Sequence, residues 1–180
     1  MRIAPIFQRV FGGIYGKPCW NVKPGWGSFL TVEFGRPHLE VREPIVASKG
    51  ASPKLRKLYA RRDVFVHGEW HIRIADCAWE VLSNGRHVGN GSTKQSMRRA
   101  ARLLDGQRLI QFSFIPKNVQ SVFDFDLGGT LRTRSYDRRG EQWILFTPDG
   151  KALTLRADRR YQYIRSNLPR DKGAWKPVLK

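Results

Sequence analysis

An α+β fold in one domain, built mainly from an antiparallel sheet of hairpins with two short helices, is predicted by three features of this sequence. Four short segments rich in aromatic and branched residues, Leu109–Ile115, Ser121–Leu127, Gln142–Phe146 and Ala152–Arg156, are separated by turn chemistries at Pro116–Asn118, Gly128–Gly129 and Pro148–Gly150. Two helical patterns carry N-terminal caps. Strands and helices never alternate as a parallel sheet requires, so about seven to nine antiparallel strands with both helices on one face are expected. At 180 residues the chain suits a single core.

Residues 1–19 hold Gly12, Gly13, Gly16 and Pro18 and keep no sustained period, which predicts an irregular arm before a domain spanning 20–166. In Phe29–Phe34, Leu30, Val32 and Phe34 alternate with Thr31 and Glu33, the pattern of a strand. Gly35-Arg-Pro-His38 reads as a turn, and Leu39–Arg42 alternates again to complete a hairpin. Ser52 and Pro53 are suited to the N-cap and first position of a helix reaching Arg62. The clearest strand is Asp63–Ile74, with Val64, Val66, Trp70, Ile72 and Ile74 on one face and His67, Glu69, His71 and Arg73 on the other. Ala78–Leu82 and Arg86–Val88 follow, bounded by Asn84-Gly85 and Asn90-Gly91. Ser92-Thr-Lys-Gln95 has the form of a capping box for a helix that Gly106 closes. After Asp158–Arg165 a basic, extended C-terminal tail, 167–180, is expected. Ser28–Gly35 and Ser121–Gly128 echo one another, as two alternating strands that each close on glycine can do without common origin.

Charge is the extreme feature: 33 Lys and Arg against 15 Asp and Glu leave +18. Such a field favours anionic partners, either nucleic acid or an acidic protein. Hydrophobic residues at 41% exclude global disorder, and no apolar run is long enough to span a bilayer. Cys19 and Cys77 are too few for a disulfide framework, and the N-terminus lacks a signal-peptide core, so a cytoplasmic location is expected.

The stretch Trp20-Asn-Val-x-x-Gly-x-Gly-Ser-Phe-Leu-Thr-Val-Glu-Phe-Gly35, with His67-Gly-Glu-Trp-His71 and Asp105-Gly-Gln-Arg-Leu109, resembles a set of uncharacterised bacterial proteins of similar length. The resemblance covers roughly residues 15–163. It implies a bacterial source and a small globular protein, and carries across no activity, cofactor or site.

No nucleophile elbow, P-loop or dinucleotide fingerprint is present. The basic residues therefore lead the reading: Lys54, Arg56, Lys57 and Arg61 on the first helix, and Arg98, Arg99 and Arg102 on the second. Arg159, Arg160, Tyr161, Tyr163 and Arg165 interleave cations with aromatic planes near the end. They predict a non-catalytic protein that holds nucleic acid through phosphate, without cofactor. The alternative is an accessory or immunity-like protein docking on an acidic protein, and a metal-dependent nuclease stands behind both. For that last reading the ligands would be Asp124 and Asp126, which Glu33 or Glu141 could join across the sheet, while His67, Glu69 and His71 form a separate candidate metal set on one strand face. Residues i, i+2 and i+4 of an extended strand span ~13 Å, too far for one ion without a bend at Gly68, so no metal is expected.

Overall fold

Period-two alternation becomes twelve strands among residues 2–179, the part of the chain that the computed structural model describes. In chain order, α1 (Pro5–Gly12) precedes β1 (Cys19–Pro24) and β2 (Leu30–Arg42), and α2 (Pro53–Tyr59) leads to β3 (Asp63–Ile74), β4 (Cys77–Ser83) and β5 (Arg86–Gly89). α3 (Lys94–Leu104) then leads to β6 (Leu109–Ile115), β7 (Gln120–Phe125) and β8 (Thr130–Ser135). The last four strands are β9 (Glu141–Phe146), β10 (Lys151–Arg156), β11 (Arg160–Arg165) and β12 (Lys176–Pro177). The α+β class holds, with the strands divided between two antiparallel sheets. One has the order β1-β2-β3-β9-β10-β11-β12 and the other β5-β4-β8-β7-β6. No described helix is long and apolar enough to cross a membrane.

The core fills the space between the sheets. Trp143 of β9 is fully buried, and Phe7, Phe11, Phe112 and Phe123 stand edge-on to it with ring centroids between 5.5 and 6.1 Å away. Edge-to-face contacts suit the aromatic quadrupoles and add to the area buried. The indole still needs a hydrogen-bond acceptor, and its Nε1 donates to Ser121 Oγ at 2.8 Å, bonding β9 to β7 across the interior. Gln142, also buried, accepts from Thr133 Oγ1 at 3.1 Å and donates to Val119 O and Ser135 Oγ. The sheets are therefore joined by polar contacts inside an apolar layer.

Several expectations change. Of the arm expected over 1–19, residue 1 lies outside the described residues and the remainder is not irregular. Pro5 occupies the first turn of α1, and Phe7, Val10 and Phe11, at helical spacing, are buried; the glycines that obscured the period lie at the helix end and beyond it. The tail does not trail away either: β12 pairs with β11, Val178 is fully buried, and the Ala4 N–H donates to Val178 O at 2.8 Å. Gly35–His38 is not a hairpin turn, since β2 runs on as one strand to Arg42 and pairs with β3 along its length. The cap of α3 is Thr93, whose Oγ1 accepts from the Ser96 N–H, in place of Ser92; Ser52 caps α2 as expected. The echoing segments lie in different sheets, and only the second ends in a turn at its glycine.

Ser121→Ala would leave the Trp143 N–H buried without an acceptor. We expect it to cost ~1–3 kcal/mol of unfolding free energy, read from the denaturant midpoint. An unchanged midpoint would show that the indole bond contributes nothing.

Candidate metal centre

A carboxylate buried in a sheet needs partners for both oxygens. Glu33, on β2 between Val32 and Phe34, is 1% exposed. Its Oε2 accepts from the Gly68 N–H at 2.9 Å, while Oε1 lies 3.1 Å from His67 Nδ1 and 3.9 Å from His71 Nε2. One ligand atom from each of Glu33, His67 and His71 lies within 4.8 Å of the others. Around a tetrahedral ion with bonds of ~2.0–2.1 Å, neighbouring ligand atoms stand ~3.3 Å apart. The observed separations bracket that value.

Strand geometry alone separates two residues four apart by ~13 Å. Yet the rings of His67 and His71 stack 4.6 Å apart at 15°. A β-bulge makes the difference. Phe34 pairs with Trp70 and Pro37 with Gly68, so Gly35 and Arg36 of β2 together face Glu69 alone. Gly35 takes φ +76°, the left-handed conformation that glycine adopts without strain. Opposite it the two backbones almost touch, for a Cβ on Gly68 would lie 2.3 Å from Phe34 O. A bulge bends its strand and sharpens the local twist, and the two imidazoles stack across this irregularity. The extra residue also shifts parity: Glu33 opposite His71 and His38 opposite His67 are five residues apart on β2 but four on β3, so all four share one face.

Burial governs the electrostatics. His71 is pushed down to about 3, first by desolvation and then by the positive charges of His67, Arg73 and Lys23. It is neutral at pH 7. Its buried Nε2 has no hydrogen-bond partner among the described residues and faces the Glu33 carboxylate. Either a proton goes unshared there or a lone pair faces a negative charge; a cation between the groups would resolve both. His67 Nε2 points to Glu40 Oε2 at 3.7 Å, the relation by which an outer carboxylate orients a metal-binding imidazole. A cleft of about 670 Å³ opens over the cluster, walled by Arg36, His38 and Glu40 of β2, Arg73 of β3, and Phe146 and Pro148 near the β9–β10 turn.

Of His67, Glu69, His71, Asp124 and Asp126, only His67 and His71 converge. Glu69 turns to the bulge, where its Oε2 accepts from the Arg36 N–H at 3.2 Å. Asp124 accepts from Thr130 Oγ1 at 2.9 Å and Asp126 from the Arg108 N–H at 2.8 Å, so each serves its own hairpin. Glu33, which the sequence offers only as a carboxylate that could join Asp124 and Asp126, instead stands with the two histidines. The signal for it lay in a Gly-x-Pro at mid-strand, which a bulge can explain as well as a turn can.

The basic residues occupy three separate elements. Lys54 and Lys57 are exposed on α2; Arg56 folds back onto Lys49 O and Ala51 O, and Arg61 pairs with Asp63 at 2.8 Å. Arg98, Arg99 and Arg102 line the wet side of α3. Arg160 faces Asp158 at 3.9 Å, Arg159 sits in the turn before β11, and Arg165 is exposed at its end. Tyr161 is buried against Phe7, and the Tyr163 hydroxyl donates towards Asp149 at 3.3 Å. The expected non-catalytic, nucleic-acid-holding protein does not stand, because the buried Glu33–His67–His71 cluster has the donor set and spacing of a metal centre and the capacity for chemistry that such a centre brings. Cys19 and Cys77 take no part: burial raises each thiol to about 12, and both are unreactive at neutral pH. Comparison with protein-family models, curated proteins and solved structures finds no match.

Gly68→Ala should drive the strands apart at the bulge, lowering stability by ~2 kcal/mol or more in denaturant and separating the imidazoles. Full stability in that variant would refute the close approach. A second expectation concerns metal-stripped protein. Unfolded His71 takes its proton near 6.5 and the folded residue near 3, so stability rises with pH across that window and is lost as pH falls through it. Relative to His71→Leu, wild type should lose denaturant resistance between pH 7 and pH 5; parallel behaviour would count against the buried neutral imidazole.

Proposed function

We propose that this protein binds one divalent first-row metal ion, zinc being the natural choice, between Glu33, His67 and His71, and uses it for hydrolytic chemistry in the cleft. The observation that carries the reading is the convergence of three ligand atoms within 4.8 Å around a buried His71 nitrogen that lacks a hydrogen-bond partner. Two imidazoles and one carboxylate suit zinc, iron, cobalt or nickel better than magnesium or calcium, which prefer oxygen alone. Three protein ligands leave a position for water or substrate, the pattern of catalytic rather than closed structural sites. In such a site the metal lowers the pKa of bound water to ~7 and polarises the bond to be broken. The Gly68 N–H fixes one Glu33 oxygen and leaves the other for the ion. Glu40 steadies His67 from outside, and the cleft over the cluster is lined by Arg36 and Arg73 together with Glu40 and Glu69.

An acidic protein is the partner we favour. Lys49, Lys54 and Lys57 have no ion-pair partner among the described residues, whereas Arg42, Arg61 and Arg62 nearby are paired with Asp63 or Glu43. Two free, buried cysteines support a cytoplasmic setting.

Protein stripped with chelator and titrated with zinc should bind one ion per chain by calorimetry. Saturation at a hundredfold excess over Kd should add ~2.7 kcal/mol to stability, seen as a raised Tm. Glu33→Gln and His71→Ala should each weaken binding tenfold or more, ~1.4 kcal/mol. Binding that is absent, or that survives both changes, rules the centre out.

A further inference from the structure

Past the bulge, β2 and β3 leave the sheet as a two-stranded ribbon, and their register sorts its side chains. Residues directly opposite one another in an antiparallel pair point to the same side. Leu39 with Val66 and Val41 with Val64 therefore form one face, and His38 with His67, Glu40 with Phe65 and Arg42 with Asp63 form the other. The second face is internally satisfied. Arg42 pairs with Asp63 and covers the Phe65 ring at 5.7 Å, Phe65 stacks with His67 at 6.2 Å, and His67 faces Glu40. The first face has four aliphatic side chains, no polar group and no cover: Leu39, Val41, Val64 and Val66 are 67, 48, 56 and 46% exposed. The segment that closes the ribbon buries only Ala51. α2 has no buried residue, and Ile45 and Val46 before it are 55 and 100% exposed.

A lone two-stranded ribbon is marginal in water, and a contiguous apolar patch marks an interaction surface. We propose that the Leu39–Val41–Val64–Val66 face is the docking surface for an acidic protein partner. This rests on the partner reading above, is independent of the metal reading, and locates the contact. Charge selects the occupant. Residues 36–66 carry eight Lys and Arg against three Asp and Glu; Asp63 and Glu43 are ion-paired, and Glu40 faces His67. Lys49, Lys54 and Lys57 remain to meet carboxylates, and a second copy of this chain would bring like charges together. A partner presenting aliphatic side chains bordered by Asp and Glu matches both features, the apolar strip supplying affinity and the charge steering encounter and specificity. Seated there, it would back the ribbon whose opposite face walls the metal cleft.

The test is photocrosslinking in cells that naturally make the protein, with p-benzoylphenylalanine introduced into the full chain at Val64 or, separately, at Lys57. We expect Val64 to crosslink to one acidic protein that, when purified, binds the unmodified chain at one to one. Val41→Asp and Val64→Asp should each weaken that binding about tenfold or more. The variants should keep the wild-type circular dichroism and denaturant midpoint. Lys54→Glu with Lys57→Glu should slow association and flatten its salt dependence. Crosslinks from Val64 to a second copy, to lipid or to nucleic acid overturn the proposal, as does unaltered affinity in the aspartate variants. Capture of an acidic protein from Lys57 but not from Val64 overturns the ribbon face while leaving the partner reading standing, and capture from neither position removes both.

Discussion

The approach of β2 to Gly68 is the constraint on which the rest of this molecule turns. Gly68 can lie under Phe34 only because it has no Cβ, and β2 can absorb an extra residue there only because Gly35 takes a left-handed conformation. The parity of β2 changes at that point. Before it, Glu33 points into the protein beside His71; beyond it, His38 and Glu40 join that face while Leu39 and Val41 turn to the other. One backbone irregularity thus assembles the centre and leaves an aliphatic strip on its reverse. Were β2 paired residue for residue from Phe34, without the bulge, Leu39 and Val41 would turn to the cleft side and His38 and Glu40 to its reverse.

Buried charge is costly unless matched, and the centre holds its charge by a division of labour. One carboxylate oxygen is tied to a backbone N–H; the other is shared by two imidazoles, one of which is kept neutral by burial and nearby cations. Such an arrangement is poor as a structural ion pair, because His71 cannot easily take up the proton that would complete it. It is well suited to a dication, which needs no proton and is bound best by an unprotonated imidazole.

Most of the sheet was legible in the sequence because alternation, turn residues and helix caps act locally. The segments from Leu109 to Arg165, the capped helix after Ser52 and the alternation of Asp63–Ile74 all follow from nearest-neighbour chemistry. Long-range closure was not legible. Phe7, Val10 and Phe11 have helical spacing, but the seat of Phe7 and Phe11 against Trp143 and Tyr161 depends on residues more than a hundred positions away. For the centre, His67 and His71 stood out and even the bend at Gly68 could be named as a condition. The convergence of Glu33 with the histidines was hidden because a bulge is a property of two strands at once; Gly35-Arg-Pro37 has the same composition as a turn, and only pairing with Gly68 distinguishes them.

The placement of α1 also has a meaning for biosynthesis. Phe7 packs on the Tyr161 ring at 5.2 Å, and Ala4 is hydrogen-bonded to Val178, so an early helix is completed by strands made late. As the chain leaves the ribosome, the apolar side of α1 gains Phe112 and Phe123 and then Trp143 as neighbours, and its cover is complete only when residues 161–178 emerge. Its contacts carry about the largest sequence separations this chain allows, which slows folding and leaves a greasy segment open to chaperones or to misassembly in the interval.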